Sequence, residues 1–469
     1  MKGLTRRQVA VWCGALAAGA SARASVDADS AHALLLRTRG LADTRAYELV
    51  ESLVTEVGAR PAGSPNDARA VAWALARLQG LGLSNVRADP VALRTWQRGP
   101  AHARLSAPFI HPLVITALGN SVATSPDGLD AEIAYYADFD ALKGEAAGSG
   151  PSRAQGRIVF IDEKTERTRD GGGYSRAMLA RVAGAVEAAR RGALAVAIRS
   201  IGTDQDRIAH TGAMLYDAQV ARIPALAVSV PDANLIARLH ARGHTLRMQF
   251  NLQANSAVAA TSHNVIAEIP GTDITDEVVL IGAHLDSWDL GQGALDDGAG
   301  VGIVMAAAKL LLDAGRRPRR TVRVVLFANE ENGFDGAIGY GERYKHVVHQ
   351  LVGESDLGAG AVWRLRSRVR DEALPVIRAM AEVLGPIGIA DAGNAAAPGP
   401  DAGVLLRRHG WPVVELTQDA SNYFDVHHTD NDTLAKVDAT TLPQNVAAWA
   451  VVAWLAAQSQ TAFGPLLPR

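Results

Sequence analysis

Residues 278 to 300 read VVLIGAHLDSWDLGQGALDDGAG. An apolar run from Val278 to Ala283 ends at His284, and a glycine-rich loop then carries Asp286, Asp289, Asp296 and Asp297 before small residues open an apolar helix. A strand that is apolar on both faces belongs inside a sheet covered on each side by helices, the habit of parallel sheets. Ligand sites in such sheets lie beyond the carboxyl ends of the strands. Four carboxylates this close repel one another unless a cation lies among them. The loop therefore reads as part of a metal site whose other ligands come from elsewhere in the chain.

The rest of the C-terminal half repeats the pattern. From Asn264, strand-like NVIAEIPG, EVVLIGAH, RTVRVVLFANEE, VHQLVGESD and WPVVELTQ alternate with helical stretches at 298–314, around ALPVIRAMAEVLG and at 442–458. Strand ends again carry metal-binding side chains: Glu330 and Glu331 after VVLFAN, Asp356 after QLVGES, and His427 with His428 in SNYFDVHHTDNDTL after WPVVEL. Imidazole and carboxylate without thiolate suit zinc or a similar divalent ion, and aspartate can bridge two ions. Asp296, in a glycine-flanked loop directly before a helix, is the natural bridge. Singly, each residue has a structural explanation, such as a helix cap for Asp-Asp-Gly or a solvated face for Glu-Glu. Together, without a cation, they would leave one sheet edge with an unpaired acidic cluster at considerable electrostatic cost.

Nearer the front, TRAYELVESLVTEVG and SPNDARAVAWALARLQGLGL have apolar residues at helical spacing, with Ser64 placed to cap the second. Strand-like VRADPVALRTW follows, and from about residue 113 short strands (DGLDAEIAYYA, RIVFID, ALAVAIRS, IPALAVSV) alternate with helices up to Asn251. That change of texture marks a separate module. The expected organisation is residues 25–112 as the first part of a catalytic domain, 113–251 as an insertion, and 252–469 as the second part with the metal site. Gly171-Gly172-Gly173 and AGSG at 147–150 are turn signals; neither opens a helix directly after a strand, as phosphate binding would require.

Residues 1–24 carry Lys2, Arg6 and Arg7, an apolar run from Val9 to Ala20 and an Ala22-Arg23-Ala24 cleavage pattern, which together read as a secretory signal, twin-arginine-like at Thr5-Arg6-Arg7. The run is too short for a permanent membrane anchor. The single cysteine, Cys13, falls within it, so the mature chain forms no disulfide, consistent with a periplasmic or secreted protein. The formal charge of −2 becomes more acidic once those basic residues are removed, which argues against nucleic-acid binding.

The motifs GAHLDSWDLGQGALDDGAG, FANEENG, GESDLG and FDVHHTDNDTL stand in the order and at similar spacings to those of the co-catalytic di-zinc exopeptidases of the aminopeptidase type. The chain resembles that family over essentially its mature length, with RPAGSPN, HPLVITALGNSVATSPDG, GAVEAARRGALAVAIRS and AHTG extending the likeness beyond the metal motifs. The resemblance implies an α/β fold, a parallel-centred mixed sheet flanked by helices, with residues 113–251 as an inserted protease-associated domain.

It also implies two zinc ions, His284 and Asp356 on one, Glu331 and His428 on the other, and Asp296 between them. His428 is preferred to His427 because the family's ligand histidine precedes a stretch ending in Asp-Thr, here His428-Thr429-Asp430-Asn431-Asp432-Thr433. Glu330 would be the general base, pointing opposite to Glu331 as strand neighbours do. Asp286 would accept a hydrogen bond from the His284 ring and fix it, a loop-structuring role being its alternative. His427 and Tyr423 are candidate donors to a developing oxyanion, and His210, in AHTG, is a candidate to reach the site from the insertion. Asn329 stands before the Glu pair where the family often has alanine, which bears on pocket polarity. The implied activity is hydrolysis of dipeptides or short peptides with free termini. An aminopeptidase on longer peptides and a non-catalytic, receptor-like binding protein are its rivals; the latter should lack a ligand or the base, and none is missing. Homodimerisation is a family expectation, with Trp363 on the candidate surface.

Overall fold

The computed structural model describes residues 28–145 and 152–466, so the expected signal at 1–24 and the 147–150 loop lie outside it. Three helices come first: α1 (28–40), which the sequence reading did not anticipate, α2 (Arg45–Glu56) and α3 (Pro65–Gly80). Ser64 caps α3, its Oγ accepting from the Asp67 N–H at 3.1 Å, with Pro65 filling the first helical position. Replacing Ser64 by Ala is expected to cost about 1 kcal/mol, read as a lower denaturant midpoint at unchanged slope.

Next come β1 (Ser84–Ala107), β2 (His111–Leu113), β3 (Ile115–Ala117), β4 (Leu129–Tyr136), α4 (Phe139–Lys143), β5 (Ile158–Ile161), α5 (Gly172–Arg190), β6 (Ala195–Arg199), β7 (Ala225–Val228), α6 (Val230–Ala241) and β8 (Arg247–Ile269). The remainder is β9 (Ile274–His284), α7 (Ala299–Asp313), β10 (Arg320–Phe327), α8 (Asp335–Tyr344), β11 (Val348–Glu354), β12 (Val362–Arg368), α9 (Leu374–Leu384), β13 (Ala390–Asp391), α10 (Pro400–His409), β14 (Val413–Gln418) and α11 (Leu442–Gln458).

β10, β9, β11 and β14 lie side by side and parallel, so their carboxyl ends open on one edge. Antiparallel neighbours flank them, β8 beside β10 and β12 beside β14, making the sheet mixed with a parallel centre. The centre is covered on both faces because its side chains are apolar on both. On one side the fully buried Trp449 and Trp454 of α11 join α2 and α7 in a core with Val279, Ile281 and Val324. On the other, Tyr340 of α8 and Leu405 of α10 pack on Leu280, Val325 and Phe327.

The segment from β3 to α6 forms a second lobe with its own apolar clusters, one around Phe160 and Leu226 and one in which α5 covers Val159, Ile161 and Ile198. The lobes are not joined by loops alone. β8 pairs with β4 near its start, Phe250 opposite Leu129, and with β10 near its end, Ile266 opposite Val325, while β1 runs antiparallel along it. The boundary expected at 251–252 thus falls inside a continuous strand. Alternating polar and apolar residues, as in Met248, Phe250 and Leu252, mark the strand but cannot show that it passes from one lobe to the other.

Candidate metal centre

Each of the four parallel strands delivers a side chain to the same point. His284 ends β9, Glu330 and Glu331 follow β10, Asp356 follows β11, and His427 with His428 lie in the loop after β14. Asp296 comes from the turn between β9 and α7 and lies between the histidines. Its Oδ1 is 3.1 Å from His284 Nε2 and its Oδ2 is 3.1 Å from His428 Nε2. Asp356 Oδ1 stands 3.7 Å from His284 Nε2, and Glu331 Oε2 stands 3.2 Å from His428 Nε2. The result is two clusters of imidazole and carboxylate, one on each side of a shared aspartate.

The donor set suits divalent metal. Glu331 Oε1 is buried without a hydrogen-bond partner, an arrangement that is costly unless something cationic meets it. Asp297 also lies beside His284 and Asp356, but its oxygens are engaged: Oδ2 accepts from the His284 N–H at 3.2 Å and Oδ1 from the Gly300 N–H at 3.0 Å, starting α7. Asp289 is turned away, paired with Arg98 at 2.9 Å. The loop that looked uniformly acidic thus sends one carboxylate between the histidines.

Two residues hold that loop through its main chain, and sequence reading assigned neither a role. Arg60, fully buried, donates to the carbonyls of Leu285, Gln292 and Gly293. Asp432 accepts from the N–H groups of Ala294, Leu295 and Asp296. Both stood inside quoted motifs, RPAGSPN and HTDNDT, but main-chain partners leave no sequence pattern.

The expected position of the Glu pair needs correction. β10 ends at Phe327, and Asn329 sits in the left-handed region at φ 57, so Glu330 and Glu331 occupy a turn rather than alternating along a strand. Asparagine tolerates that conformation better than most residues, which gives Asn329 a backbone role in addition to any effect on polarity. Asp286 shapes the same turn, its carboxylate accepting from the N–H groups of Glu330 at 3.1 Å and Glu331 at 3.4 Å. His284 Nδ1 meets the main-chain oxygen of Asp286 at 3.1 Å, while the Asp286 carboxylate is 3.8 Å away. The ring is therefore fixed by the Asp286 carbonyl instead of by its side chain.

His210 does come from the second lobe, but it supports the histidine loop from behind. Its Nδ1 is 2.8 Å from the His427 carbonyl and its Nε2 is 2.7 Å from Asp204. The neighbouring Thr211 carbonyl, which no side-chain pattern announces, lies 3.2 Å from His428 Nδ1 and can fix that ring with Nε2 toward the cluster. His427 stacks on His428 with centroids 3.5 Å apart and places Nε2 3.3 Å from Asp296 Oδ2, and Tyr423 packs against His427 at 4.9 Å. Trp363 is half-buried between the guanidinium groups of Arg169 and Arg364.

The charges within the cluster shift the proton affinities of its members. Burial works to raise Asp296, but His427, His284 and His428 hold it well below the usual carboxylate range. Burial likewise opposes charge on His428, yet Glu331 and Asp296 push it up to about 9, and Asp286, Asp296 and Asp356 raise His284 well above its ordinary value. Burial and the Asp296 charge bring Glu331 to about 7.

A parallel-centred sheet converging histidine, aspartate and glutamate on one edge defines a metal-dependent hydrolase. Residues 264–453 match Peptidase family M28. Over 436 residues the chain is 37% identical to carboxypeptidase Q of Bos taurus, covering 92% of this chain and 89% of that protein. The crystal structure of a peptidase M28 precursor from Shewanella amazonensis SB2B is 47% identical and superposes with a TM-score of 0.91, covering 94% of this chain and 100% of that one. A zinc aminopeptidase from Bacillus subtilis, 19% identical, shares the fold with a TM-score of 0.61 over 90% of this chain and 97% of that one. The chain belongs to peptidase family M28, and it is a metallo-exopeptidase.

Proposed function

We propose that the enzyme is a di-zinc exopeptidase that hydrolyses dipeptides and very short peptides with free termini. The observation that carries this reading is the position of Asp296, each of whose oxygens lies 3.1 Å from the imidazole of a different strand end. His284 and Asp356 would hold one ion, Glu331 and His428 the other, and Asp296 both. His428 is favoured over His427 because its second ring nitrogen meets the Thr211 carbonyl, whereas His427 Nδ1 is buried without a partner. Similarity to carboxypeptidase Q supports an exopeptidase on short substrates, and zinc is the metal named for the Bacillus subtilis aminopeptidase of the same fold.

Bound there, zinc supplies a Lewis acid for the scissile carbonyl and lowers the pKa of a water toward neutrality. Glu330 accepts the proton of the attacking water at its carboxylate and passes it to the leaving amine. His427, whose charged form is disfavoured by burial and by the neighbouring His428, lies beside Asp296 as a neutral group suited to hydrogen-bonding the oxyanion; Tyr423 is the other candidate. A cleft of about 290 Å³ lined by Ser64, Trp96, Arg98, Trp288 and Asn332 adjoins the cluster through Trp288, a size that suits a short substrate.

The second lobe, within the expected 113–251, is proposed as a protease-associated domain, residues 1–24 as an export signal to the periplasm or exterior, and the mature enzyme as a homodimer. No helix among the described residues is long and apolar enough to cross a membrane. Elemental analysis of purified protein, with a panel of dipeptides, tripeptides and terminally blocked analogues, tests the central reading. Zinc in a two-to-one ratio with the chain and preference for unblocked dipeptides are expected. Retained activity on long, C-terminally blocked peptides would convert the assignment to an aminopeptidase. Amino-terminal sequencing of the exported protein tests the signal, and sedimentation tests the homodimer.

A further inference from the structure

Arg181 belongs to α5 of the second lobe, yet its guanidinium is buried beside the histidine loop, the residue being 7% exposed. Its Nη1 donates to the Thr211 carbonyl at 3.4 Å, and His428 Nδ1 lies 3.2 Å from that same oxygen. One oxygen atom therefore separates the guanidinium from the imidazole. Gly212 makes the approach feasible: its φ is +135°, and a Cβ there would lie 2.3 Å from Arg181 Nη1. Tyr174 forms the adjoining wall, its ring 5.5 Å from the guanidinium carbon and 4.9 Å from His427, edge-on.

What marks this arginine is that its partners are not acidic: the Thr211 carbonyl and the Tyr174 side chain. Its Nε is buried with no partner, and among the described residues no aspartate or glutamate forms an ion pair with it. A buried guanidinium in that state is expensive, and the group that matches its planar fork is a carboxylate. Arg98, which also reaches Thr211, shows the contrast: Asp289, Thr116, the Thr211 hydroxyl and the Ala117 carbonyl already occupy its donors. A charge held next to the cluster without a carboxylate of its own is suited to receive one from the substrate.

We propose that Arg181 binds the α-carboxylate of the residue on the leaving side of the scissile bond, making a free C-terminus one residue beyond that bond the recognised group. This rests on the exopeptidase reading above. One residue advances the chain by roughly 3.5 Å, so a dipeptide brings its carboxylate close to the metal ligands, where Arg181 lies, and a longer peptide carries it past. The lobe that carries Arg181 would thereby set substrate length.

The test compares alanyl-leucine with alanyl-leucinamide. Wild type is expected to prefer the free acid in kcat/KM, and in Arg181→Met that preference should fall by roughly tenfold to a hundredfold, chiefly through KM, the range expected for losing hydrogen bonds to a charged group. Arg181→Lys, which keeps the charge without the fork, should fall between. Metal content and thermal melting of each variant identify any that do not fold. Competition on wild type by leucine against leucinamide asks the same question without a substitution, and stronger inhibition by leucine is expected. If acid and amide rates fall together in the variants, or leucine and leucinamide inhibit equally, the assignment of Arg181 is overturned while the exopeptidase stands. A wild type that cleaves only longer peptides overturns the dipeptide reading and this proposal with it.

Discussion

Glu330→Gln is expected to lower kcat by about 10²–10⁴-fold while leaving metal content at the wild-type level. The glutamine keeps the shape of the side chain and can still accept a hydrogen bond, but it cannot take a proton at neutral pH. Its position should be preserved, because the turn is held through the main chain, with the Glu330 N–H donating to Asp286. Burial, with the charges of Asp356 and Glu331, raises the Glu330 carboxyl well above its ordinary value, His284 opposing. Single-turnover rates with alanyl-leucine, measured alongside elemental analysis, check the prediction. Full activity in Glu330→Gln would remove the general base from the mechanism. Glu331→Gln is the control that should differ, since it alters a ligand and should lower metal content as well.

Much of this site was legible in the sequence because metal ligands on a parallel sheet follow strand ends: His284, Glu331 and Asp356 stand at or just beyond an apolar run, and His428 lies in the loop that follows β14. The same rule separated Asp296 from its neighbours only partly. That Asp297 is engaged by the N–H groups of His284 and Gly300 depends on the path of the turn, which side-chain types do not encode. The Glu pair shows the limit more sharply. Strand alternation predicted opposed side chains, but Asn329 adopts a left-handed conformation and breaks the strand first. Contacts across the fold were the least visible. Thr211 and Arg181 are remote in sequence from every metal motif and approach His428 because β8 ties the second lobe to the sheet and the lobe bonds the histidine loop directly, the Thr211 N–H donating to the His428 carbonyl. Residues such as Arg60 act on carbonyl groups, where identity of the partner carries no signal.

Asp296→Asn should cost the enzyme both its metal and its activity. The carboxamide offers one oxygen where two are needed, and its NH₂ is not a ligand, so a shared pair of ions would lose both its bridge and the negative charge that holds it. The fold should survive, because the loop is held through the Asp296 N–H and its neighbours by Asp432, and through carbonyls by Arg60. Near-wild-type circular dichroism with strongly reduced zinc after dialysis is the expected pair of results. His428→Ala should behave similarly. A pH dependence follows from the same contacts. In the metal-free protein His428, at about 9, and His284, raised well above its ordinary value, both carry protons at neutral pH, and each must release one before its nitrogen can bind metal. Apparent zinc affinity should therefore weaken as pH falls below about 9, by roughly tenfold per pH unit for each proton displaced. Removing the Asp296 charge takes away a partner that both histidines share, so their proton affinities should drop and the slope should flatten in Asp296→Asn. Competitive zinc titrations from pH 6 to 9 would measure both slopes. A variant that keeps wild-type zinc at neutral pH, or shows the wild-type slope, would mean that the two histidines do not meet through this aspartate.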